Sequence, residues 1–258
     1  MLAAERRGKA QWIDQETAAL AYAEDVVTST VFGLLSYLPT MRGLGHLLQH
    51  LLPDEAPYAD VHMTFWPPSA GTEPDLAMEA RHTVVVFEMK LDAPFGPQQL
   101  GREWLWLRNR VRERSAETTA TAASIRSMLV VVTRRPLSNA ELSRRVAADL
   151  LRIGSAEPAP SDHEVRGLTW HQLAEWMLER DSGNEEAYVA VVLDDLDYFL
   201  RSRGLRGSPF EAWPTPTRAW QACPNWYGQC YFDSTLLRVV ASPIWHAARP
   251  DFYQRYPG

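Results

Sequence analysis

Cysteine is almost missing from this chain of 258 residues: Cys223 and Cys230 are the only two. Two thiols at that spacing, with no second pair, do not make a structural zinc site. They read as free, packed thiols in a reducing compartment. Long apolar runs are missing too. None approaches the ~20 residues of a membrane helix, and the opening Met1-Leu2-Ala3-Ala4-Glu5-Arg6-Arg7 has no apolar segment of the signal-peptide kind. The expectation is a cytoplasmic protein with no membrane partner. The glycines form neither a GxGxxG fingerprint nor a P-loop, and no GxSxG elbow occurs. Familiar nucleotide hydrolases and α/β-hydrolases are thereby set aside. The histidines (46, 50, 62, 82, 163, 171 and 246) show no HExxH spacing, and each reads as a structural or surface residue.

Lysine is the other scarce residue. The chain has 24 arginines and two lysines, Lys9 and Lys90. Arginine and lysine are not interchangeable where a compact ammonium is needed. A lysine at position 90 of a chain that uses arginine almost everywhere else marks that position.

The net charge is −6, which by itself argues against a nucleic-acid partner. Its distribution is uneven. Residues 98–152 hold eleven arginines and five acids, a local charge of +6, so the remainder carries −12. That asymmetry fits a protein with one basic face. The alternative is a pair of solvated helices that turn their arginines to water.

Periodicity predicts a long helix over 14–38, with Leu20, Val27, Val31, Leu34 and Leu38 on one side and Pro39 at its end. A shorter apolar helix is predicted over 41–52. Residues 58–66 alternate as a strand, Val61, Met63 and Phe65 against His62, Thr64 and Trp66. Strands at 75–80 and 83–90 follow, joined by Arg81-His82. A helix over 98–114 carries Leu100, Trp104, Leu107 and Val111 on one face, and 115–124 reads as a loop. A buried strand runs from Ser127 to Thr133. After it come a helix at 138–152 with Ser138 as N-cap, a strand at 164–168, and helices at 170–180 and 185–203. This order predicts an α/β fold, a mixed central sheet flanked by helices on both faces.

Three residues on this framework carry chemistry. Asp75 opens one strand and Glu88 lies near the end of the next, with twelve residues between them. Antiparallel neighbours joined by a tight turn put two such carboxylates side by side. Lys90 is two residues beyond Glu88, on the same face of the strand and away from Val85, Phe87 and Met89. Charges that end an apolar run must be paired or hold a metal. Hard divalent ions take oxygen ligands, and phosphodiester hydrolysis uses such ions to neutralise the phosphate and to make hydroxide from water.

Glu73-Pro74-Asp75 followed by Phe87-Glu88-Met89-Lys90 resembles the PD-(D/E)XK signature of restriction-type nucleases. The helix–strand–strand–strand–helix–strand order resembles the same family's core. The resemblance spans roughly residues 14–135. It implies a restriction endonuclease-like αβββαβ core and a metal-dependent endonuclease acting on DNA, possible roles being restriction or anti-phage defence. It implies Mg²⁺ or Mn²⁺ held by Asp75, Glu88 and the Met89 carbonyl. Lys90 would polarise the attacking water or steady phosphate charge. Two more residues fit family positions. Glu24 lies on the apolar stripe of the first helix, where a carboxylate needs a task or a partner, whereas Asp25 is turned by about 100° and reads as solvated. Gln99, favoured over Gln98, opens the helix after the lysine strand, with Glu103 one turn on.

The expected organisation is a nuclease-like domain over 1–205 and an aromatic-rich C-terminal extension over 206–258 that packs on the core. Those aromatics read as packing residues rather than as base-stacking platforms. Specificity is left to a partner protein or a second copy of the chain, to DNA structure, or to no device at all. The rival reading is a non-catalytic scaffold or nucleic-acid-binding subunit on the same fold.

Overall fold

The structure is a computed structural model and describes residues 24–54, 58–68, 71–91, 93–118, 125–179 and 186–207. The start of the first predicted helix, both cysteines and nearly all of the aromatic extension lie outside those residues. Eleven elements are described: α1 (Glu24–Leu35), α2 (Leu44–Leu51), β1 (His62–Phe65), β2 (Leu76–Ala80), β3 (Thr83–Met89), α3 (Gln99–Thr118), β4 (Arg126–Thr133), α4 (Asn139–Ile153), β5 (Val165–Thr169), α5 (Trp170–Met177) and α6 (Ala187–Ser202).

The five strands form one open mixed sheet in the order β1-β2-β3-β4-β5. β1, β2 and β3 are an antiparallel meander. β4 and β5 then add in parallel, each after a crossover helix. Every residue of β3 is buried. That is why Val84-Val85-Val86-Phe87 lacks the polar alternation of a half-exposed strand.

The period of two divides the core. Val85, Phe87 and Met89 face a cluster built with α1, α2, α5 and α6. Val84 and Val86 face a second cluster that holds Leu100, Trp104, Leu107 and Val111 of α3 and Leu142, Val146 and Leu150 of α4. The result is three layers, helices over both faces of the sheet.

Local signals explain several boundaries. Ser138 accepts a hydrogen bond from the Glu141 amide at 3.2 Å, the N-cap expected for α4. Thr169 and Gln172 form a capping box at the start of α5. Two expectations are corrected. The helix predicted over 98–114 continues through Thr118, so part of the expected loop is helical. Trp66 does not follow the alternation of β1. Its φ of 46° breaks the strand and its side chain is buried at 1% exposure. α3 lies close against α4 at Gly101, where an added Cβ would lie 2.6 Å from the Cβ of Asp149. No helix among the described residues is long and apolar enough to cross a membrane.

Candidate active site

The sequence-derived site residues meet at the carboxyl end of β3. Leu76 pairs with Phe87, so one step further along the ladder brings Asp75 opposite Glu88. The Met89 amide donates to Asp75 Oδ2 at 2.7 Å, and the Trp66 amide donates to the Asp75 carbonyl at 3.2 Å. Both bonds fix Asp75 at the mouth of β2. The Met89 side chain is fully buried on the opposite face, so only its backbone belongs to the site.

Glu88 shares the face of Val84 and Val86 and therefore looks toward α3. Its Oε1 receives Lys90 Nζ at 2.8 Å and Gln99 Nε2 at 2.5 Å. Its Oε2 is buried with no hydrogen-bond partner. Lys90 also reaches Glu24 Oε2 at 3.0 Å. Glu24 Oε1 takes the Leu91 amide at 3.0 Å, so this carboxylate braces both the lysine and the backbone after it. The Lys90 amide donates to the Val132 carbonyl at 2.7 Å, and Trp170 Nε1 donates to the Lys90 carbonyl at 3.0 Å.

Gln99 is oriented from both ends of its amide. The Gly96 amide donates to its Oε1 at 2.9 Å, which turns its NH₂ toward Glu88. The preceding Gln98 has φ 57°. A non-glycine residue there is strained, by about 1–3 kcal/mol, and such strain concentrates where geometry serves a site. Of the two glutamines, Gln99 is the one that touches Glu88.

One acid joins the site beyond those that the sequence pattern assigns to it. Glu103 is fully buried, with its carboxyl set against Glu88 and Gln99. It stands one turn after Gln99, beside Glu88. The signal was legible, because an acid on the apolar stripe of Leu100, Trp104 and Leu107 is out of place in the way Glu24 is. Asp25, expected to be solvated, is half-buried and close enough for its charge to act on Asp75.

The electrostatics follow from burial. Desolvation, and then the Glu88 charge, push the Asp75 carboxyl well above its ordinary value, against the Met89 amide and Lys90. Desolvation, and then Glu88, push the Glu103 carboxyl up in the same way. Burial alone would lower the Lys90 ammonium, but Glu88 and Glu24 outweigh it and raise it above its ordinary value. Four carboxyl groups thus share one ammonium. Without a cation, such a site keeps protons on Asp75 and Glu103; with a divalent cation it can release them. Asp75 and Glu88, across the ladder from each other, could offer the hard oxygen donors that Mg²⁺ or Mn²⁺ takes; Glu103 does not complete a three-carboxylate cluster with them.

The arginine-rich segment is not a free cationic face. Arg110 grips both oxygens of Glu79 at 2.8 and 2.9 Å and also reaches Glu113 and Glu117. Arg108 and Arg112 both pair with Glu157, and Arg114 pairs with Glu79 and Glu117. Arg145 pairs with Glu141 and Arg152 with Asp149. From outside that segment, Glu79 and Glu157 meet Arg108, Arg110, Arg112 and Arg114. No protein-family model, no curated protein and no solved structure matches this chain.

Proposed function

We propose that this protein is a metal-dependent nuclease of the PD-(D/E)XK kind, hydrolysing phosphodiester bonds and acting on DNA as an endonuclease. The observation that carries the reading is the environment of Glu88. It is a buried carboxylate with one oxygen held by Lys90 and Gln99 and the other without a partner, and Asp75 stands across the ladder. The order of two helices, a three-strand meander, a helix and a parallel strand supports the same reading, as a restriction endonuclease-like core.

In this reading Asp75 and Glu88 hold Mg²⁺ or Mn²⁺, joined by the Met89 carbonyl. The ion supplies Lewis-acid charge at the phosphate and a more acidic water. Lys90 polarises the attacking water or steadies charge on the phosphate. Glu24 holds the lysine in place, and Gln99 orients Glu88. The pairing of the α3 arginines leaves affinity for nucleic acid to the site itself and to a partner protein or second copy.

The test is incubation of the full chain with supercoiled plasmid, single-stranded DNA and RNA, each with Mg²⁺ or Mn²⁺, beside Glu88→Ala and Lys90→Ala. Cleavage of DNA by the wild type and by neither variant supports the assignment. Cleavage that survives both substitutions overturns the site. No cleavage of any substrate, with no binding of Mg²⁺ or Mn²⁺ by calorimetry, turns the reading to a non-catalytic scaffold.

A further inference from the structure

A second cluster of ligating side chains lies on α2, apart from the residues described above. His46 and His50 are four residues apart, one above the other on a single helix face. Their Nε2 atoms are 3.3 Å apart. Glu179, just beyond α5, brings its Oε2 to 3.2 Å from His46 Nε2 and 2.9 Å from His50 Nε2. The three ligand atoms therefore form a nearly equilateral triangle. Zinc bonds of about 2.0–2.1 Å at tetrahedral angles place neighbouring ligand atoms about 3.3–3.4 Å apart. The observed edges lie within a few tenths of an ångström of one face of that tetrahedron.

Both imidazoles can donate to Glu179 Oε2; once unprotonated at Nε2, the two rings and the carboxylate present lone pairs to the same point. The rings are also held. His50 stacks on Trp176 with centroids 5.2 Å apart and planes 5° from parallel, and it meets the edge of His46 at 4.7 Å. Glu179 is half-exposed, which leaves the fourth direction open to solvent.

We propose that His46, His50 and Glu179 bind one divalent transition-metal ion of the zinc class, completed by water. Two imidazoles and one carboxylate suit Zn²⁺, Co²⁺ or Ni²⁺ and are a poor set for Mg²⁺. The ion ties α2 to the end of α5, segments 129 residues apart in sequence, and so clamps the helical layer that also holds α1. This site does not depend on the nuclease reading.

The experiment titrates Zn²⁺ into chelator-stripped, untagged full chain by calorimetry, with thermal unfolding and Co²⁺ absorption as second readouts. The expected result is one high-affinity equivalent, a higher unfolding midpoint and the visible bands of tetrahedral Co²⁺. His46→Ala, His50→Ala and Glu179→Ala should each weaken binding at least about tenfold, the loss that even an outer partner of a metal ligand brings. Glu179 is exposed enough for its variant to fold if a histidine variant does not. The equivalent should persist in Asp75→Asn/Glu88→Gln. No Zn²⁺ binding by the wild type, or binding unchanged in Glu179→Ala, or an equivalent lost in Asp75→Asn/Glu88→Gln, overturns the site.

Discussion

Gln99 Nε2 donates to Glu88 Oε1 across 2.5 Å and so ties the first residue of α3 to the end of β3. The same Gln99 amide is anchored by Gly96 on its other side. Glu88 is thereby aimed by a helix start, while Lys90 holds the same oxygen from the strand. Gln99→Ala should keep the fold and lower DNA cleavage by roughly tenfold to a hundredfold. Glu88→Ala and Lys90→Ala should lower it by roughly a hundredfold or more. Lys90→Arg should not restore it, because a planar guanidinium cannot replace a compact ammonium between Glu88 and Glu24. Cleavage rates on plasmid DNA under single-turnover conditions check all four.

Glu103 and Asp75 predict an unusual pH dependence. Both carboxyls are pushed above their ordinary values, so between about pH 4, the unfolded range, and those raised values the metal-free folded state binds more protons than the unfolded one. The contribution of these two carboxyls to stability is therefore fully present below the unfolded range and is lost as pH rises through the window. The slope is at most about 1.4 kcal/mol per pH unit for each such proton. Glu103→Gln, which removes the ionisation and keeps the volume, should flatten the slope. Mg²⁺ should reduce it by favouring the ionised carboxylates. Chemical denaturation in chelator from pH 5 to pH 8 is the measurement, and a wild-type curve that matches Glu103→Gln refutes the assignment.

Trp170 reaches 80 residues back in sequence to donate its indole N–H to the Lys90 carbonyl at 3.0 Å. Trp170→Phe keeps most of the apolar volume and deletes the donor. It should cost about 1–3 kcal/mol through the lost bond and the small void. Urea unfolding measures this, and an unchanged midpoint would show that the backbone at Lys90 needs no such brace.

At Gly101 the α3–α4 contact leaves no room for a Cβ. Gly101→Val should therefore destabilise the fold by about 1–3 kcal/mol through overpacking. It should also disturb the start of α3, where Gln99 sits. Thermal unfolding reads the first effect and cleavage rate the second.

Arg110 tests whether the arginine-rich segment serves stability or nucleic acid. It is held by Glu79, Glu113 and Glu117, and Arg110→Ala should cost about 1 kcal/mol or less, as a partly exposed network does. The salt dependence of DNA affinity should not change. A salt slope shallower by about one unit would instead place Arg110 on a phosphate.

The elements that positioned the site were legible from local pattern. The β-branched apolar run at 83–89 and the helical period after Pro97 located β3 and α3. Strand phase put Glu88 and Lys90 together, and helix phase singled out Glu24. Glu103 was equally visible as an acid on an apolar stripe and was passed over in favour of the shorter motif. Asp25, expected on the wet side of α1, is partly exposed, and its charge acts on Asp75 because the end of β2 lies beside α1. Trp66 was misplaced because alternation assumes that the strand continues, and a single positive φ ends it.

By itself the sequence determined the α/β class, the antiparallel meander, the buried central strand and the three residues at the mouth of β2 and the end of β3, because these follow from side-chain period and short spacing. Only the tertiary structure decided how those residues are engaged: Lys90 bridging Glu88 and Glu24, Gln99 on Glu88, Trp170 on the Lys90 backbone. It also decided that Arg108, Arg110, Arg112 and Arg114 of α3 stand in ion pairs, and it brought Glu179 to His46 and His50. The longest of these contacts, Lys90 with Glu24, Trp170 with Lys90 and Glu179 with His50, join positions far apart in the chain, and neither period nor motif carries information across such distances. Packing of helices on both faces of one sheet brings them within bonding range.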